Sequence, residues 1–436
     1  MRIPDSCDVA VIGGGPSGSL AATYLAQAGY HVALFDKQRH PRAQVGESLI
    51  PDFWKYCDEA KVTEKILADG FVRKAGGTVD WHGETRRIAF KDFGYTRPAL
   101  HVERDRFDHI LLENARTKGV QVFEEVAAGE CDFGAPRGAR VACRPVGESG
   151  LTQRVDCRFV VDASGQSAVI GRQLGVRSID DAFRFMSVWG YFRNSRYYAA
   201  DGLVHPATSV HTVPPTTYVT SLPNAGKWGW CWHIMLRDCV SIGFVVPMET
   251  MKDVKKSERS WEQYFLQQCA AIPRLADLLT EAQFCEDSVR VVRDYSYRST
   301  QVAGPGFFLV GDAAGFVDPI FSVGVVLGMY SASAAAWSIN RIFRSPDRTP
   351  DHLSLYTSML QGRLEMARAL ALPQYEISGS VGEEARKIVK FTDGKAKALM
   401  YAASALTGRS EHVRAMTGES APHAPNVRAN HDIPAA

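Results

Sequence analysis

Three apolar runs in the sequence are each followed by a turn rich in glycine, serine or aspartate. The first, at residues 8–12, leads into the turn at residues 13–18 and then into an alanine-rich stretch. The second ends at Asp162, shortly before Gly165, and the third ends at Asp312. Short apolar runs between turn residues predict buried strands, and a stretch of small residues after the turn predicts a helix. Repeated strand–turn–helix units predict an α/β fold.

The first turn has the arrangement of a dinucleotide-binding motif. Gly13 permits a tight turn, Gly15 lets backbone amides approach a pyrophosphate, and Gly18 allows the helix to pack closely against the strand. The helix N-terminus adds partial positive charge for the phosphates. A second strand ends at Asp36, about twenty residues on, where a carboxylate accepts a hydrogen bond from a ribose hydroxyl. The alternative is a glycine-rich turn between unrelated elements.

The two later strand ends favour FAD over NAD. Asp162 and Asp312 each stand at the tip of an apolar run, and Asp312 is followed by Ala-Ala. A carboxylate in that position, beside a helix N-terminus, suits a hydrogen bond to a ribityl or ribose hydroxyl. The alternative for Asp312 is that it simply caps the helix.

Composition narrows the function classes without identifying one. The chain has 436 residues, of which 45% are hydrophobic and 22% charged, enough for two packed domains. Its net charge of +2 comes from interspersed acids and bases, so no basic face for nucleic acid is expected. No export signal and no membrane-spanning stretch is apparent, and nine scattered cysteines without a C-x-x-C pair favour reduced thiols over a metal site. We therefore expect a cytoplasmic protein without a membrane partner.

Together these segments resemble the flavoprotein aromatic hydroxylase fold over roughly residues 5–345. The stretch HVERDRFDHILLENA also matches, with Arg104 where that fold contacts FAD. The resemblance implies an α/β architecture with a discontinuous Rossmann-like FAD domain at 1–75, 100–180 and 285–345, and an inserted mixed-sheet substrate domain at 76–99 and 181–284. The spacing of Leu, Met and Ala predicts a C-terminal helical region at 346–410, and an aperiodic flexible tail follows at 411–436.

The same resemblance implies a set of residues that contact the cofactor. They are Gly13, Gly15, Ser17, Gly18, Asp36, Lys37, Glu47, Ser48, Arg104, Asp162, Asp312 and Gly324.

Four further features resemble flavin-dependent halogenases, particularly those that act on phenols, pyrroles or carrier-tethered aromatics. They are VGESLIP at 45–51, FVRKAGGTVDW at 71–81, the tryptophan-rich WGWCWHI at 228–234, and DYSYRST followed by GDAAGFVDPIFSVGV at 294–325. The resemblance implies that a separate flavin reductase delivers FAD as FADH2 and that chloride or bromide is a co-substrate.

The resemblance also implies a catalytic lysine. In this family reduced FAD and O2 give a flavin hydroperoxide, halide attacks its distal oxygen, and hypohalous acid travels through a tunnel to a lysine. Lys74 matches that lysine by its R-K-A-G-G setting. A buried ammonium can hydrogen-bond hypohalous acid, or a neutral amine can trap it as a haloamine, and burial pushes a lysine toward neutrality. The alternative is an ordinary surface lysine.

The tryptophan cluster is expected to wall off the flavin. Halogenases carry a W-x-W-x-I-P segment beside the tunnel, and Trp230 and Trp232 match it, with Met235 in place of the proline. Alternation places Trp228, Trp230 and Trp232 on one face of a strand. Indole rings there would fill the space that a hydroxylase leaves for its substrate, so that only a small oxidant can travel. The alternative is aromatic packing in a half-buried sheet.

The stretch DPIFSVGV indicates which substrate class and which halide site to expect. In tryptophan halogenases a glutamate occupies the position of Phe321, so free tryptophan is not expected here, and a phenol or pyrrole, free or carrier-bound, is favoured. The backbone amides of Val323 and Gly324 match the halide position of the family. The alternative is that this stretch only packs a helix against FAD.

Two other interpretations stay open on the sequence alone. One is a single-component FAD-dependent aromatic monooxygenase, or a flavin-dependent reductase of isoprenoid chains. The other is a flavin-binding relative without catalytic activity.

Overall fold

The computed structural model describes residues 2–81, 84–148, 150, 152–179, 184–222, 229–293 and 295–371. Trp228, the part of the expected helical region beyond residue 371 and the expected tail at 411–436 lie outside the described residues.

The described residues form strands that are numbered in chain order. They are β1 Val9–Ile12, β2 Val32–Asp36, β3 Val72–Lys74, β4 Gly76–Trp81, β5 Glu84–Ala89, β6 Ala99–His101, β7 Gln121–Glu124, β8 Val126–Asp132, β9 Ala139–Pro145, β10 Gln153–Cys157, β11 Phe159–Asp162, β12 Arg177–Ile179, β13 Phe185–Arg193, β14 Tyr197–Tyr198, β15 Val204–His205, β16 Thr216–Ser221, β17 Trp230–Met235, β18 Val240–Pro247, β19 Gln283–Phe284, β20 Arg290–Arg293, β21 Tyr297–Ser299, β22 Ala303–Gly304, β23 Phe307–Leu309 and β24 Gly315–Phe316.

The α-helices are numbered in the same way. They are α1 Pro16–Gln27, α2 Phe53–Glu59, α3 Thr63–Asp69, α4 Arg104–Thr117, α5 Val169–Gln173, α6 Thr250–Lys256, α7 Trp261–Ala271, α8 Pro273–Leu278, α9 Gly324–Arg344 and α10 Thr349–Ala371. Within the described part of the chain, no helix combines the length and apolar character needed to cross a bilayer.

A six-stranded sheet carries the glycine-rich turn. Its order is β22-β23-β11-β1-β2-β7, and β11, β1, β2 and β7 run parallel to their neighbours. Ile12 lies beside Asp162 in the register, and Asp36 closes the next strand. Since parallel strands present their carboxyl ends at one edge, the three strand ends named by the sequence meet there, which is where open α/β sheets bind ligands.

A second, mixed sheet has the order β19-β13-β18-β17-β16-β4-β5, with β20 beside β13. Only β16 and β4 run parallel; the other pairs are antiparallel. Every residue of β17 is buried, and alternate residues belong to different cores: Trp230 and Trp232 pack with the first sheet, and Cys231 and Met235 with the α7 side. The architecture is the α/β fold with a mixed second sheet expected from the sequence.

The short pairing of β3 with β6 positions the predicted catalytic lysine. Lys74 lies opposite Ala99, and the backbone of Ser48 forms a bridge with His101. The loop 45–51 therefore runs beside β6, and the side chains of Lys74, Ser48 and His101 are brought to one place between the two sheets.

Candidate functional site

A cavity of about 470 Å³ lies between the carboxyl edge of the first sheet and the tryptophan face of the second. Pockets of this size hold cofactor-sized ligands. Twelve of the predicted site residues line it, namely Gly13, Gly15, Ser17, Asp36, Lys37, Glu47, Ser48, Arg104, Asp312, Gly324, Trp230 and Trp232.

The glycine-rich turn is built so that only glycine fits at two of its positions. Gly13 has φ +104°, and a Cβ there would lie 2.4 Å from the carbonyl oxygen of Ala163. A Cβ on Gly18 would lie 1.9 Å from the carbonyl oxygen of Gly13, so Gly18 serves the close crossing of α1 over the strand rather than the cavity itself. Gly15 caps α1 without a side-chain hydrogen bond, and a Cβ there would meet only the Arg42 guanidinium, at 3.4 Å.

Arg42 is a site residue that the sequence reasoning missed. Its side chain lines the cavity next to Gly15, and its only ion pair among the described residues is a long one, 3.7 Å from Asp108. Its buried Nε has no hydrogen-bond partner in the part of the chain that the structure describes. A guanidinium with an unused donor beside the N-terminus of α1 is suited to an anion. The signal available in the sequence was an arginine within HPRAQVGES, directly after the second strand.

Asp36 closes the same end of the cavity. Its Oδ2 accepts a hydrogen bond from the Gly14 amide at 2.7 Å, and its Oδ1 accepts one from the Gln38 amide at 2.8 Å. Burial alone would raise the pKa of Asp36, but these bonds and the contact with His40 hold the pKa below its usual value. The carboxylate therefore stays ionised and able to accept a further hydrogen bond.

Three more ionisable side chains line the cavity, those of Arg104, Asp312 and Glu47. Arg104 donates to both carboxylate oxygens of Asp108, at 2.8 and 3.0 Å, and to the Val45 carbonyl at 2.6 Å. Burial raises the pKa of Asp312 to about 6, against the opposing charge of Arg104. Burial also raises the pKa of Glu47, whose Oε1 accepts a 2.6 Å hydrogen bond from the Tyr191 hydroxyl.

Asp162 does not reach the cavity. Its carboxylate accepts hydrogen bonds from the amides of Ser164 at 3.0 Å and Ile170 at 2.7 Å, inside its own turn. The neighbouring residues 163–167 line the cavity in its place. Asp162 therefore shapes the turn, and its predicted contact with the cofactor stays a prediction.

Tryptophan side chains form the wall that the second sheet presents to the cavity. The rings of Trp230 and Trp232 lie 5.8 Å apart, and Trp189 of β13, which the sequence reasoning did not single out, lines the same wall. Gly243 of β18 pairs with Trp232 on one side and Trp189 on the other. A Cβ on Gly243 would lie 2.1 Å from the Trp232 ring, so the absent side chain is what lets the indole lie across β18.

Lys74 lies just behind the cavity lining. Its side chain is 4% exposed, and its Nζ donates to Ser48 Oγ at 2.8 Å and to the Leu49 carbonyl at 3.1 Å. The amine also lies 5.3 Å from the centre of the Phe90 ring. Burial lowers the pKa of Lys74 from 10.5 to about 7. The alternative of an ordinary surface lysine is wrong, because the side chain is enclosed and bonds Ser48, which lines the cavity.

Phe321 and Val323 line a second, much smaller cavity of about 20 Å³ beside α9 and α10. Gly324 and Asp312 border both cavities. A Cβ on Gly324 would lie 2.8 Å from the Phe316 ring, so the small residue is needed for packing as well. Of the two residues whose amides are predicted to hold halide, Gly324 thus borders both cavities and Val323 borders the smaller one.

Comparison with known proteins places this site in a family. Residues 6–359 match the family described as FAD binding domain. The chain is 36% identical over 382 residues to a tryptophan 2-halogenase of Chondromyces crocatus, covering 87% of this chain and 69% of the relative. It is 31% identical to a 1H-pyrrole-2-carbonyl-(peptidyl-carrier protein) chlorinase of Pseudomonas fluorescens, covering 82% of this chain and 81% of the relative. The chain belongs to the flavin-dependent halogenases.

Comparison with a solved structure supports the same family assignment. The halogenase superposes on the myxobacterial chondrochloren halogenase CndH with a TM-score of 0.77 and 29% identity, over 95% of this chain and 90% of that one. The enzyme therefore binds FAD, takes halide as co-substrate and carries out FADH2- and O2-dependent halogenation of an aromatic compound. The family expected from the sequence is confirmed.

Two observations indicate that the residues of the halogenase can hold FAD. Gly15 and the uncapped N-terminus of α1 leave a space that a side chain would fill, and the unused Nε of Arg42 points to an anion there. The diphosphate would lie on these groups, the ribose by Asp36, and the ring system toward the tryptophan wall.

We expect that Gly15→Val weakens FAD binding by about 100-fold, since a diphosphate loses close approach to the helix N-terminus. The fold should tolerate the change, because a Cβ at this position meets only the end of the flexible Arg42 side chain. Flavin titration measures the affinity, and the melting temperature of the FAD-free protein serves as the control. Wild-type flavin retention in the variant would contradict the placement.

Proposed function

We propose that Lys74 presents the halogenating species to the aromatic substrate. The observation that carries the proposal is an enclosed amine whose pKa of about 7 is set by burial alone, with Ser48 as its link to the cavity. Such an amine populates both the ammonium and the neutral form near neutral pH. The ammonium donates a hydrogen bond to the oxygen of hypohalous acid, and the amine can take up its halogen.

We propose that the tryptophan wall keeps the two reactants in separate spaces. When bound, reduced FAD together with O2 and halide supplies hypohalous acid. Trp189, Trp230 and Trp232 line the side of the cavity that the second sheet forms, and in this proposal their rings leave no room there for an aromatic substrate. The small oxidant passes Ser48 to reach Lys74, whereas the organic substrate binds on the far side of the lysine.

Residues at the turn before α9 complete the proposed site. The amides of Val323 and Gly324 hold halide between the two cavities, and Phe321 contributes packing rather than a carboxylate. Because that carboxylate is missing, we propose an electron-rich phenol or pyrrole, free or tethered to a carrier protein. The relatives are named for tryptophan and for a carrier-bound pyrrole, so both are included in the assay below.

We further propose a separate flavin reductase as the source of FADH2 and the cytoplasm as the place of action. All nine cysteines are free thiols and seven are buried, which suits a reducing compartment.

One assay tests these proposals. The enzyme is supplied with FAD, NADH, a flavin reductase, bromide or chloride, and in turn a phenol, a carrier-bound pyrrole and free tryptophan. The expected result is the halogen isotope pattern in the mass spectrum of the phenol or pyrrole product, and none when the reductase is left out. Halogenated tryptophan with unreactive phenol and pyrrole would contradict the substrate proposal, and product formed from NADH alone would contradict the reductase.

A further inference from the structure

A continuous line of hydrogen bonds leads away from Lys74 into the protein. Ser48 Oγ lies 2.8 Å from Lys74 Nζ and 3.0 Å from Thr217 Oγ1. Thr217 Oγ1 lies 2.9 Å from His101 Nε2, and His101 Nδ1 lies 2.9 Å from the Met235 carbonyl oxygen. All four side chains are buried, and His101 has no exposed surface. The line therefore joins two bases through two hydroxyls, those of Ser48 and Thr217, which also line the cofactor cavity.

The chemistry of the terminal carbonyl fixes the direction of every bond. A carbonyl oxygen only accepts, so His101 Nδ1 carries the hydrogen and Nε2 of the neutral ring accepts from Thr217. Thr217 then accepts from Ser48, and Ser48 accepts from Lys74. The Ser322 hydroxyl, 3.1 Å away, donates into the remaining lone pair of Ser48 Oγ. Each hydroxyl in the line both accepts and donates, which is the arrangement that allows a proton to move by successive transfers.

Lys74 and His101 affect each other because both become positively charged when protonated, and like charges repel. Burial lowers the pKa of His101 well below its usual value, and the nearby charge of Lys74 on β3 lowers it further, as does His233 on β17. Burial alone acts on the pKa of Lys74. Two cations in one enclosed network would repel, so we expect at most one of the two bases to be protonated at a time.

We propose that one proton passes between Lys74 and His101 through Ser48 and Thr217, so that Lys74 can change between ammonium and amine by transfer to another side chain of the protein. The inference rests on the proposed role of Lys74. His101 and Thr217 are positioning residues in it, since neither contacts the reacting atoms.

The proton moves in three transfers. Lys74 passes a proton to Ser48, Ser48 passes its own to Thr217, and Thr217 passes its own to His101 Nε2, which leaves a neutral amine and an imidazolium. The amine and hypohalous acid then form a haloamine and water, as the N–halogen bond forms and the O–halogen bond breaks. Transfer of the halogen to the ring returns the ring proton to the nitrogen, and the reverse relay restores the ammonium.

The test uses the FAD-free protein and added hypochlorite, with mass spectrometry of the peptide that contains Lys74. Thr217→Val removes the hydroxyl that joins Ser48 to His101, and Thr217→Ser keeps it. Thr216→Val is the matched control, because the Thr216 hydroxyl is equally buried in the same strand but bonds Thr78 and the Tyr198 carbonyl instead. His101→Gln is a second test variant, since an amide oxygen can accept from Thr217 but cannot hold the proton.

We expect Thr217→Val and His101→Gln to slow chlorination of Lys74 by about tenfold or more near pH 6, where the ammonium must lose a proton, and by much less near pH 9, where the amine predominates. Thr217→Ser should restore the rate near pH 6, and Thr216→Val should match the wild type. Equal slowing at both pH values, or none, would overturn the relay. Absence of Lys74 chlorination in the wild-type protein would instead overturn the proposed function of Lys74.

Discussion

Replacing Lys74 with methionine is expected to abolish aromatic halogenation and, at the same time, to stabilise the folded protein. The loss of activity should be about 100-fold or greater, the size of effect that a positioned acid or base contributes. FAD binding should persist, because Lys74 lies behind Ser48 and does not line the cofactor cavity. Product formation by mass spectrometry and flavin titration measure the two properties separately.

The stabilising effect follows from the lowered pKa. The unfolded chain holds the Lys74 proton up to a pKa of 10.5, whereas the folded protein releases it at about 7. At about 1.4 kcal/mol per pKa unit, the buried ammonium disfavours the folded state by up to roughly 5 kcal/mol below pH 7. Methionine removes that cost but leaves the Leu49 carbonyl without a donor, which costs about 1–3 kcal/mol. A net gain of about 2 kcal/mol or more remains.

The direction in which stability changes with pH shows whether the buried charge of Lys74, and not a change in packing, causes the stabilisation. Between pH 7 and 10.5 the unfolded wild-type chain binds more protons than the folded one, so wild-type stability rises with pH across that window. The advantage of Lys74→Met over the wild type is therefore complete below about pH 7 and is lost by about pH 10.5. Melting temperatures across this range measure it.

The exposed Lys91 supplies the control for both effects. Lys91→Met should change neither the product yield nor the pH dependence of the melting temperature. If Lys74→Met halogenated normally, Lys74 would have no part in the chemistry. If it melted below the wild type at every pH, the buried ammonium of Lys74 would not destabilise the folded protein.

The sequence alone was sufficient to predict those parts of the site whose geometry depends on residues close together in the chain. The turn from Gly13 to Gly18 and the strand that ends at Asp36 lie within one strand–helix–strand unit, so the cofactor end of the cavity could be predicted from spacing alone. Lys74 was found through its resemblance to a family, whereas its enclosure depends on the pairing of β3 with β6 and on the bridge between Ser48 and His101. No pattern in the sequence predicts the pairing of β3 with β6.

Residues whose role depends on the register between distant strands were missed. Trp189 joins the tryptophan wall only because β13 and β17 flank β18 in one register. Thr217 and His101 meet for a similar reason, since β16 and β6 come from separate segments. A glycine within the apolar run VSIGFVV was a signal for close approach by a neighbouring side chain, but only the structure shows that the neighbour is Trp232.

We expect Gly243→Ala to inactivate the enzyme, although the substitution adds only one methyl group. The added Cβ would lie 2.1, 2.4 and 2.5 Å from three atoms of the Trp232 indole, which is 6% exposed and rigid. The ring must move, and the open space beside it is the cofactor cavity. We expect overpacking to destabilise the fold by about 1–3 kcal/mol. We also expect FAD affinity to fall by about tenfold or more, in proportion to a loss of about 1.4 kcal/mol or more in binding.

Gly129→Ala is the matched control, because Gly129 also lies within a strand, β8, and an added Cβ there meets nothing within 4 Å. Melting temperature, flavin titration and product yield are measured for both variants. The comparison isolates the position of one indole, because both substitutions add the same atom to a glycine that lies within a strand. Wild-type FAD affinity and yield in Gly243→Ala would mean that the Trp232 ring can shift without cost, and the tryptophan wall would then not be what separates the flavin from the aromatic substrate.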